Sequence, residues 1–304
     1  MTDLCSTLSR EHDEPLTATA SRVERWLLVE HHGAWGPQSV PMARIPHQLA
    51  RALAVAANTA QARLVLIRRP HARGSDRPTA ADGRWVFLAD SRPGAERLLA
   101  RHVDTDDALT RLLPTGLPFG GDDPGWQQQP DRLWLVCTHG RHDRCCAVRG
   151  RPVAQALRRR HPQTTWECTH IGGDRFAANV VVLPEGLFLG KVEADEVVAL
   201  ADDLDAGRLP PGRLRGRSSL SLPAQAAQHF ARETTDRWGS QDLLPWEQTG
   251  AGAHAWWVRL RGPGGPDVEV VVAYDSTGDG DPRLLTCGAG EVKQPPLFRL
   301  VSMS

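Results

Sequence analysis

Leu133-Trp-Leu-Val-Cys137-Thr-His139-Gly-Arg-His142-Asp-Arg-Cys145-Cys146, followed after one helical stretch by Thr164-Thr-Trp-Glu-Cys168-Thr-His170-Ile-Gly-Gly-Asp174, decides how this chain is read. An apolar strand runs into a loop of cysteines and histidines, and a second strand runs into a histidine, paired glycines and an aspartate. Four of the six cysteines fall in this stretch. Buried thiols of an ordinary core are not expected to gather beside histidines and a Gly-Gly turn. Soft donors at two neighbouring strand ends point to a metal or iron–sulfur site. Neighbouring strands lie about 4.8 Å apart, so their ends bring ligands within reach of one centre.

Working outward, Pro152 reads as the start of a helix whose Val153, Ala156 and Leu157 face inward, and His161-Pro162 stops it. Asn179 to Leu183 and Leu187 to Val192 read as strands joined by a turn at Pro184-Glu-Gly186, with a closing helix over Glu193 to Asp205. Strand, helix, strand, hairpin, helix is the thioredoxin-like pattern, an α/β layer on a mixed sheet. A similar order precedes it. Arg25 to Glu30 reads as a buried strand, Pro46 opens a helix with Leu49, Leu53 and Ala56 on one face, and Leu64 to Ile67 and Trp85 to Leu88 are strands separated by a Pro/Gly/Arg loop. Asp104 to Leu113 is a short helix with aspartates at its positive end. Trp26-Leu-Leu-Val-Glu30-His-His32-Gly33 lies over Leu133-Trp-Leu-Val-Cys137-Thr-His139-Gly140, with Glu30 in the place of Cys137.

The expected organisation is therefore a flexible tail over 1–21, in which Cys5 is irrelevant to the site; a thioredoxin-like lobe without a cluster over 22–115; a linker over 116–131; a ferredoxin-type lobe with the site over 132–207; a second linker over 208–223; and a C-terminal α+β extension over 224–304. In the extension, Ala224 to Thr235 reads as a helix, and Trp256 to Leu260 with Val268 to Tyr274 reads as a β-hairpin around Gly262-Pro-Gly-Gly-Pro266. Leu284 to Cys287 is a further candidate strand, and Cys287 reads as an isolated structural thiol.

The 304 residues carry 36 Lys and Arg against 36 Asp and Glu, so net charge gives no support for nucleic-acid or anionic-membrane binding. Arg158 to Arg160 and Arg213 to Arg217 read as a helix end and a solvated linker. No stretch is long and apolar enough to span a bilayer, and the first twenty residues lack a signal-peptide core, so the expected compartment is the cytoplasm.

The central motifs, Cys137-Thr-His-Gly-Arg-His-Asp-Arg-Cys-Cys-Ala147 and His170-Ile-Gly-Gly-Asp-Arg-Phe-Ala-Ala-Asn-Val-Val-Val-Leu-Pro184, together with Arg25-Trp-Leu-Leu-Val-Glu to Gly36, resemble the sucrase/ferredoxin-like family among the thioredoxin-like 2Fe–2S ferredoxins. The resemblance spans roughly residues 24 to 200. It implies a 2Fe–2S cluster held by two cysteines and two residues of an H-x-G-G-H segment. Carried onto this chain, these are Cys137 and Cys146, with Cys145 as alternative to the latter, then His170 and Asp174. Asp174 departs from the bis-histidine form, which leaves three readings open: its carboxylate ligates iron, it only hydrogen-bonds while Cys168 or solvent is the ligand, or the cluster is absent. Arg175, Arg144 and Arg141 are candidates to offset the carboxylate charge. His139 and His142 read as loop or supporting residues.

The expected function is electron transfer with a protein redox partner, a reductase or an acceptor, rather than turnover of a substrate. A structural zinc module built from Cys137, Cys146, Cys168 and His170 is the alternative. A thiol–disulfide oxidoreductase is another, although the chain has no Cys-x-x-Cys motif.

Overall fold

Apolar runs rather than alternating patterns mark the strands of this chain because both faces of its main sheet are covered. The computed structural model describes residues 4–38, 43–70, 83–121, 123–275, 282–295 and 297–304. Residues 1–3 of the expected tail, most of the Pro/Gly/Arg loop (71–82) and position 122 of the expected linker lie outside them.

In chain order the elements are α1 (Cys5–Glu11), β1 (Arg25–Glu30), α2 (His47–Thr59), β2 (Ala62–Arg68), β3 (Arg84–Asp90), β4 (Arg97–Val103), α3 (Asp106–Leu112), β5 (Gln127–Gln128), β6 (Leu133–Cys137) and α4 (Arg144–Arg160). They continue with β7 (Thr165–Cys168), β8 (Val180–Leu183), β9 (Leu187–Leu189), α5 (Val197–Asp205), β10 (Leu214–Arg217), α6 (Leu222–Thr235), β11 (Leu244–Gly250), β12 (Ala255–Arg261), β13 (Val268–Asp275) and β14 (Leu297–Met303). The main sheet runs β10-β9-β8-β6-β7-β2-β1-β3-β4-β5.

That order contains the same unit twice. β1 and β2 pair in parallel around α2, and β6 and β7 pair in parallel around α4. β3 lies antiparallel to β1 and is followed by its hairpin partner β4, as β8 and β9 follow β6. The two thioredoxin-like lobes meet where β2 pairs antiparallel with β7, Ile67 opposite Cys168 and Arg68 opposite Glu167. Glu30 ends β1 opposite Ile67 just as Cys137 ends β6 opposite Cys168.

Side chains alternate between faces along each strand. Leu27 and Val29 pack under α2 with Leu49 and Leu53, while Trp134 and Val136 pack under α4 and α5 with Val153, Leu157 and Leu204. The intervening residues Trp26, Leu28, Leu133, Leu135 and Cys137 enter one interior shared by both lobes. The sheet curls around it, so that Trp26 meets Phe188 and Phe87 meets Trp166 at ring distances of 6.1 and 5.5 Å. Each Leu or Phe fully buried there stabilises by roughly 1.5–3 kcal/mol. α6 covers a separate four-stranded antiparallel sheet, β11-β12-β13-β14, through Ala226, Ala227 and Ala231 against Val258, Leu260 and Val270.

Several expectations need correction. The N-terminal segment is docked rather than flexible: α1 buries Cys5, Ser6 and Ser9. Arg10 donates to the Ala177 carbonyl at 2.8 Å, and Lys191 reaches the Ser9 and Glu14 carbonyls. Residues 208–223 contain β10, whose Arg215 and Arg217 are buried; their guanidinium groups are satisfied by carbonyls and a carboxylate, which composition does not reveal. α4 starts eight residues before Pro152, because the Asp143 carboxylate caps it, accepting from the Cys145 amide at 2.8 Å. Leu284 to Cys287 forms no strand, and β14 supplies the fourth strand of the second sheet.

Candidate metal centre

The centre is built where β6, β7 and α4 converge. Cys137 closes β6 directly opposite Cys168. Cys146 sits in the first turn of α4 and joins Cys137 in the shared interior. α4 lies close on β6 because Gly150 faces the Cys137 carbonyl; a Cβ there would collide with that oxygen.

Beyond β7 the chain turns through Gly172 (φ +100°) and Gly173 (φ +82°), both in the left-handed region that glycine alone adopts without strain. A side chain at Gly172 would strike Ser21, and one at Gly173 the Arg215 guanidinium. This turn carries His170 and Asp174 back toward α4. A 3-10 turn, Asp174–Phe176, then follows.

The donor atoms of Cys137, Cys146 and His170 all lie within 4.8 Å of one another. Cys146 Sγ donates to Asp174 Oδ1 at 3.1 Å, and His170 Nδ1 lies 2.9 Å from the same oxygen. Cys168 neighbours Cys137 but belongs to no such set among the described residues. Cys145 is turned away and packs with Cys5 and Cys287. Of the two adjacent cysteines, the one at this centre is therefore Cys146.

His142 comes closer than its reading as a loop residue implies. Its ring centroid is 3.8 Å from that of His170, its Nε2 is 3.7 Å from Asp174 Oδ2, and His142, His170 and Asp174 form a second donor set within 4.8 Å. His139 has another task. Its Nδ1 accepts from the His170 amide at 3.2 Å, which leaves Nε2 to donate to the Gly36 carbonyl at 2.7 Å. Both nitrogens are engaged, and burial depresses its imidazole pKa, so it is a neutral strut between the two lobes.

The Cys137 thiol pKa is lowered well below the ordinary value by its contacts with the Cys146 and Cys168 sulfurs, against the opposing effect of burial. Cys146 is pushed up chiefly by its bond to Cys137, and Cys168 chiefly by burial.

The side chains suit an iron–sulfur group. Asp174 Oδ2 is buried with no hydrogen-bond partner among the described residues, a costly arrangement unless something else satisfies it. Two thiols lie at one end of the array, an imidazole and a carboxylate at the other. No 4.8 Å set holds all of Cys137, Cys146, His170 and Asp174, so the array is longer than the sphere of one ion. Thiolates with imidazole on one iron are an established donor pattern for a two-iron cluster.

Residues 16–216 match the family described as Sucrase/ferredoxin-like. The chain belongs to that family. Within the sucrase/ferredoxin-like segment lie both lobes, the whole donor array and all of β10 but its last residue, Arg217. The chain is similar to "Altered inheritance of mitochondria protein 32" of Meyerozyma guilliermondii, 34% identical over 86 residues. That match covers 25% of this chain and 30% of the relative, so the chain spans less than a third of the relative's length. Among solved structures it is similar to two cysteine-to-serine variants of the thioredoxin-like 2Fe–2S ferredoxin from Aquifex aeolicus. These are 22% and 23% identical, with 28% of this chain covered in each case, 97% and 96% of those chains, and TM-scores of 0.24.

In this member of the family, the cations at the centre are not those expected from sequence. Arg141 and Arg144 are exposed, and Arg175 pairs with Glu14 at 2.7 Å. The cations at the centre are Arg215, which is buried and donates to the Gly172 carbonyl and Asn179 Oδ1, and the half-buried Arg63, which donates to the His170 carbonyl at 3.0 Å. Neither carried a local signal: Arg63 sits in a strand, and Arg215 lies in an arginine-rich run that reads as solvated. No helix among the described residues is long and apolar enough to cross a membrane.

Proposed function

We propose that this protein is an electron carrier holding one 2Fe–2S cluster through Cys137, Cys146, His170 and Asp174. The observation that carries this reading is the convergence of Cys137, Cys146 and His170 from two strand ends and a helix start, with Asp174 Oδ1 within 3.1 Å of both Cys146 and His170. When bound, the cluster supplies a centre that accepts and returns one electron.

The chain's own residues would hold that centre and set its access. Cys137 and Cys146 are each about 1% exposed, so the thiolate end is sealed within the sheet. His170 is half-buried and His142 exposed, so the imidazole end forms the edge facing solvent. A protein reductase or acceptor would dock there. Arg63 and Arg215 counter the negative charge of thiolates and carboxylate from behind.

The zinc reading needs Cys168 in one sphere with Cys137, Cys146 and His170, and the donor sets do not include it. Thiol–disulfide exchange needs an accessible thiolate, and Cys137, Cys146 and Cys168 are all buried. Anaerobic purification with iron and sulfide analysis, and EPR of the reduced protein, tests the proposal. Two irons and two sulfides per chain with a reduced-state EPR signal are expected; a colourless protein free of iron after anaerobic reconstitution overturns it.

A further inference from the structure

A second group of donors lies on the other side of the first turn of α4. Cys145 Sγ is 3.2 Å from Cys287 Sγ and 3.4 Å from Cys5 Sγ, and Cys287 Sγ is 3.5 Å from Cys5 Sγ. Asp143 Oδ2 is 3.9 Å from Cys5 Sγ, and all four donor atoms fall within 4.8 Å of one another. The residues come from α1, the start of α4 and a turn near the C-terminus. We propose that Cys5, Cys145, Cys287 and Asp143 form a second metal site, which binds a single thiophilic divalent cation of the zinc class and is separate from the iron–sulfur centre.

Geometry favours one ion over the alternatives. A disulfide places sulfurs about 2.05 Å apart, well inside every separation here. One disulfide would also leave the third thiol over. Tetrahedral zinc with Zn–S bonds of about 2.3 Å spaces its sulfurs by about 3.8 Å, close to the three observed distances. Unlike the first array, these four donors share one sphere, which leaves no room for a cluster between them.

The surroundings are arranged for thiolates. The Ser6 amide donates to Cys145 Sγ at 3.4 Å and the Cys5 amide to Cys287 Sγ at 3.5 Å. Asp143 is fixed from both sides: Oδ1 accepts from the Cys145 amide at 2.8 Å and Oδ2 from the Cys287 amide at 2.7 Å. Such hydrogen bonds orient a ligand before the ion arrives. Three thiolates and a carboxylate around a divalent ion leave excess negative charge. Cys145 lies in the first turn of a 17-residue helix, whose positive end offsets part of it. Cys5 and Cys145 are buried and Cys287 is partly exposed, which gives the ion a way in. Binding would release thiol protons to solvent and tie both chain ends to the helix turn that also carries Cys146.

The test uses the full-length protein, with zinc, iron and sulfide counted separately. One zinc per chain is expected beside the iron, with Cys287→Ser lowering zinc at least ten-fold and leaving iron and sulfide within a factor of two. Cobalt(II) added to the zinc-depleted Cys137→Ser protein, which lacks a ligand of the first centre, should give the visible bands of a tetrahedral thiolate site. Absence of both zinc and the cobalt bands overturns the proposal, as does undiminished zinc in Cys287→Ser or an intact mass showing a disulfide among the three cysteines. If Cys287→Ser does not fold, the zinc count of the unsubstituted protein and the cobalt spectrum decide. Loss of iron with zinc retained counts against the first centre alone.

Discussion

Cys145 and Cys146 are neighbours in the first turn of α4, yet their sulfurs serve different places: Cys146 Sγ lies 3.1 Å from Asp174 Oδ1, and Cys145 Sγ lies 3.2 Å from Cys287 Sγ. Successive side chains on a helix diverge by about 100°. The Asp143 cap fixes where the helix starts and so which cysteine faces β6.

Separate substitutions should therefore separate the two. Cys146→Ser is expected to lower iron and sulfide per chain at least ten-fold. Cys145→Ser should keep more than half of both. Metal analysis of the two purified variants checks this, and equal loss in both would undo the assignment.

Gly150→Ala offers a test with a diagnostic sign. In a helix interior, glycine to alanine ordinarily stabilises by roughly 0.5–1 kcal/mol. Here the new Cβ meets the Cys137 carbonyl oxygen, a backbone atom that cannot swing aside. α4 must move off β6, and the expected result is destabilisation by about 1–3 kcal/mol together with reduced iron content. Denaturant unfolding of both proteins measures the first, and stabilisation would show that α4 and β6 are less tightly apposed.

How much of this was legible depended on whether a signal was local. The runs Arg25–Glu30 and Leu133–Cys137 announce strands buried on both faces, and the alignment of Glu30 with Cys137 anticipates the equivalence now seen at the two strand ends. Cys137, Cys146, His170 and Asp174, with Cys145 and Cys168 as alternates, follow from the family resemblance that the local motifs carry. β4, with Arg97, Arg101 and His102 among its apolar residues, gave no clear strand pattern. Cys5 and Cys287 stand 282 residues apart, and no local pattern joins them. Pro152 looks like a helix-opening residue, yet α4 accommodates it in mid-span and the Asp143 cap sets where the helix starts.

His31 should make stability depend on acidity. It is buried after β1, and burial together with the Arg84 charge depresses its pKa to about 4 from 6.5, with His32 adding to that effect and Asp106 opposing it. The unfolded chain then binds a proton that the folded chain refuses between pH 6.5 and 4. Its contribution is fully present above pH 6.5 and is lost as pH falls through that window, on the order of 3 kcal/mol in all. Unfolding free energies of the native protein and His31→Gln across pH 7 to 4 should diverge in slope; parallel curves would show that His31 does not titrate as buried.

Asp174 is the position where charge and ligation can be read together. A carboxylate brings one more negative charge to the centre than an imidazole, and added negative charge disfavours the reduced state. Asp174→His should therefore raise the reduction potential, by on the order of 100 mV, while keeping iron and sulfide. His142 offers the competing donor, with Nε2 only 3.7 Å from Asp174 Oδ2. If Asp174 ligates, His142→Ala should move the potential little and leave iron content unchanged. Redox titrations followed by EPR distinguish the two. An unmoved potential in Asp174→His combined with loss of iron in His142→Ala would transfer the fourth ligand from the carboxylate to His142. The Gly172-Gly173 turn would then serve to present a hydrogen-bonding aspartate to two imidazoles rather than to iron.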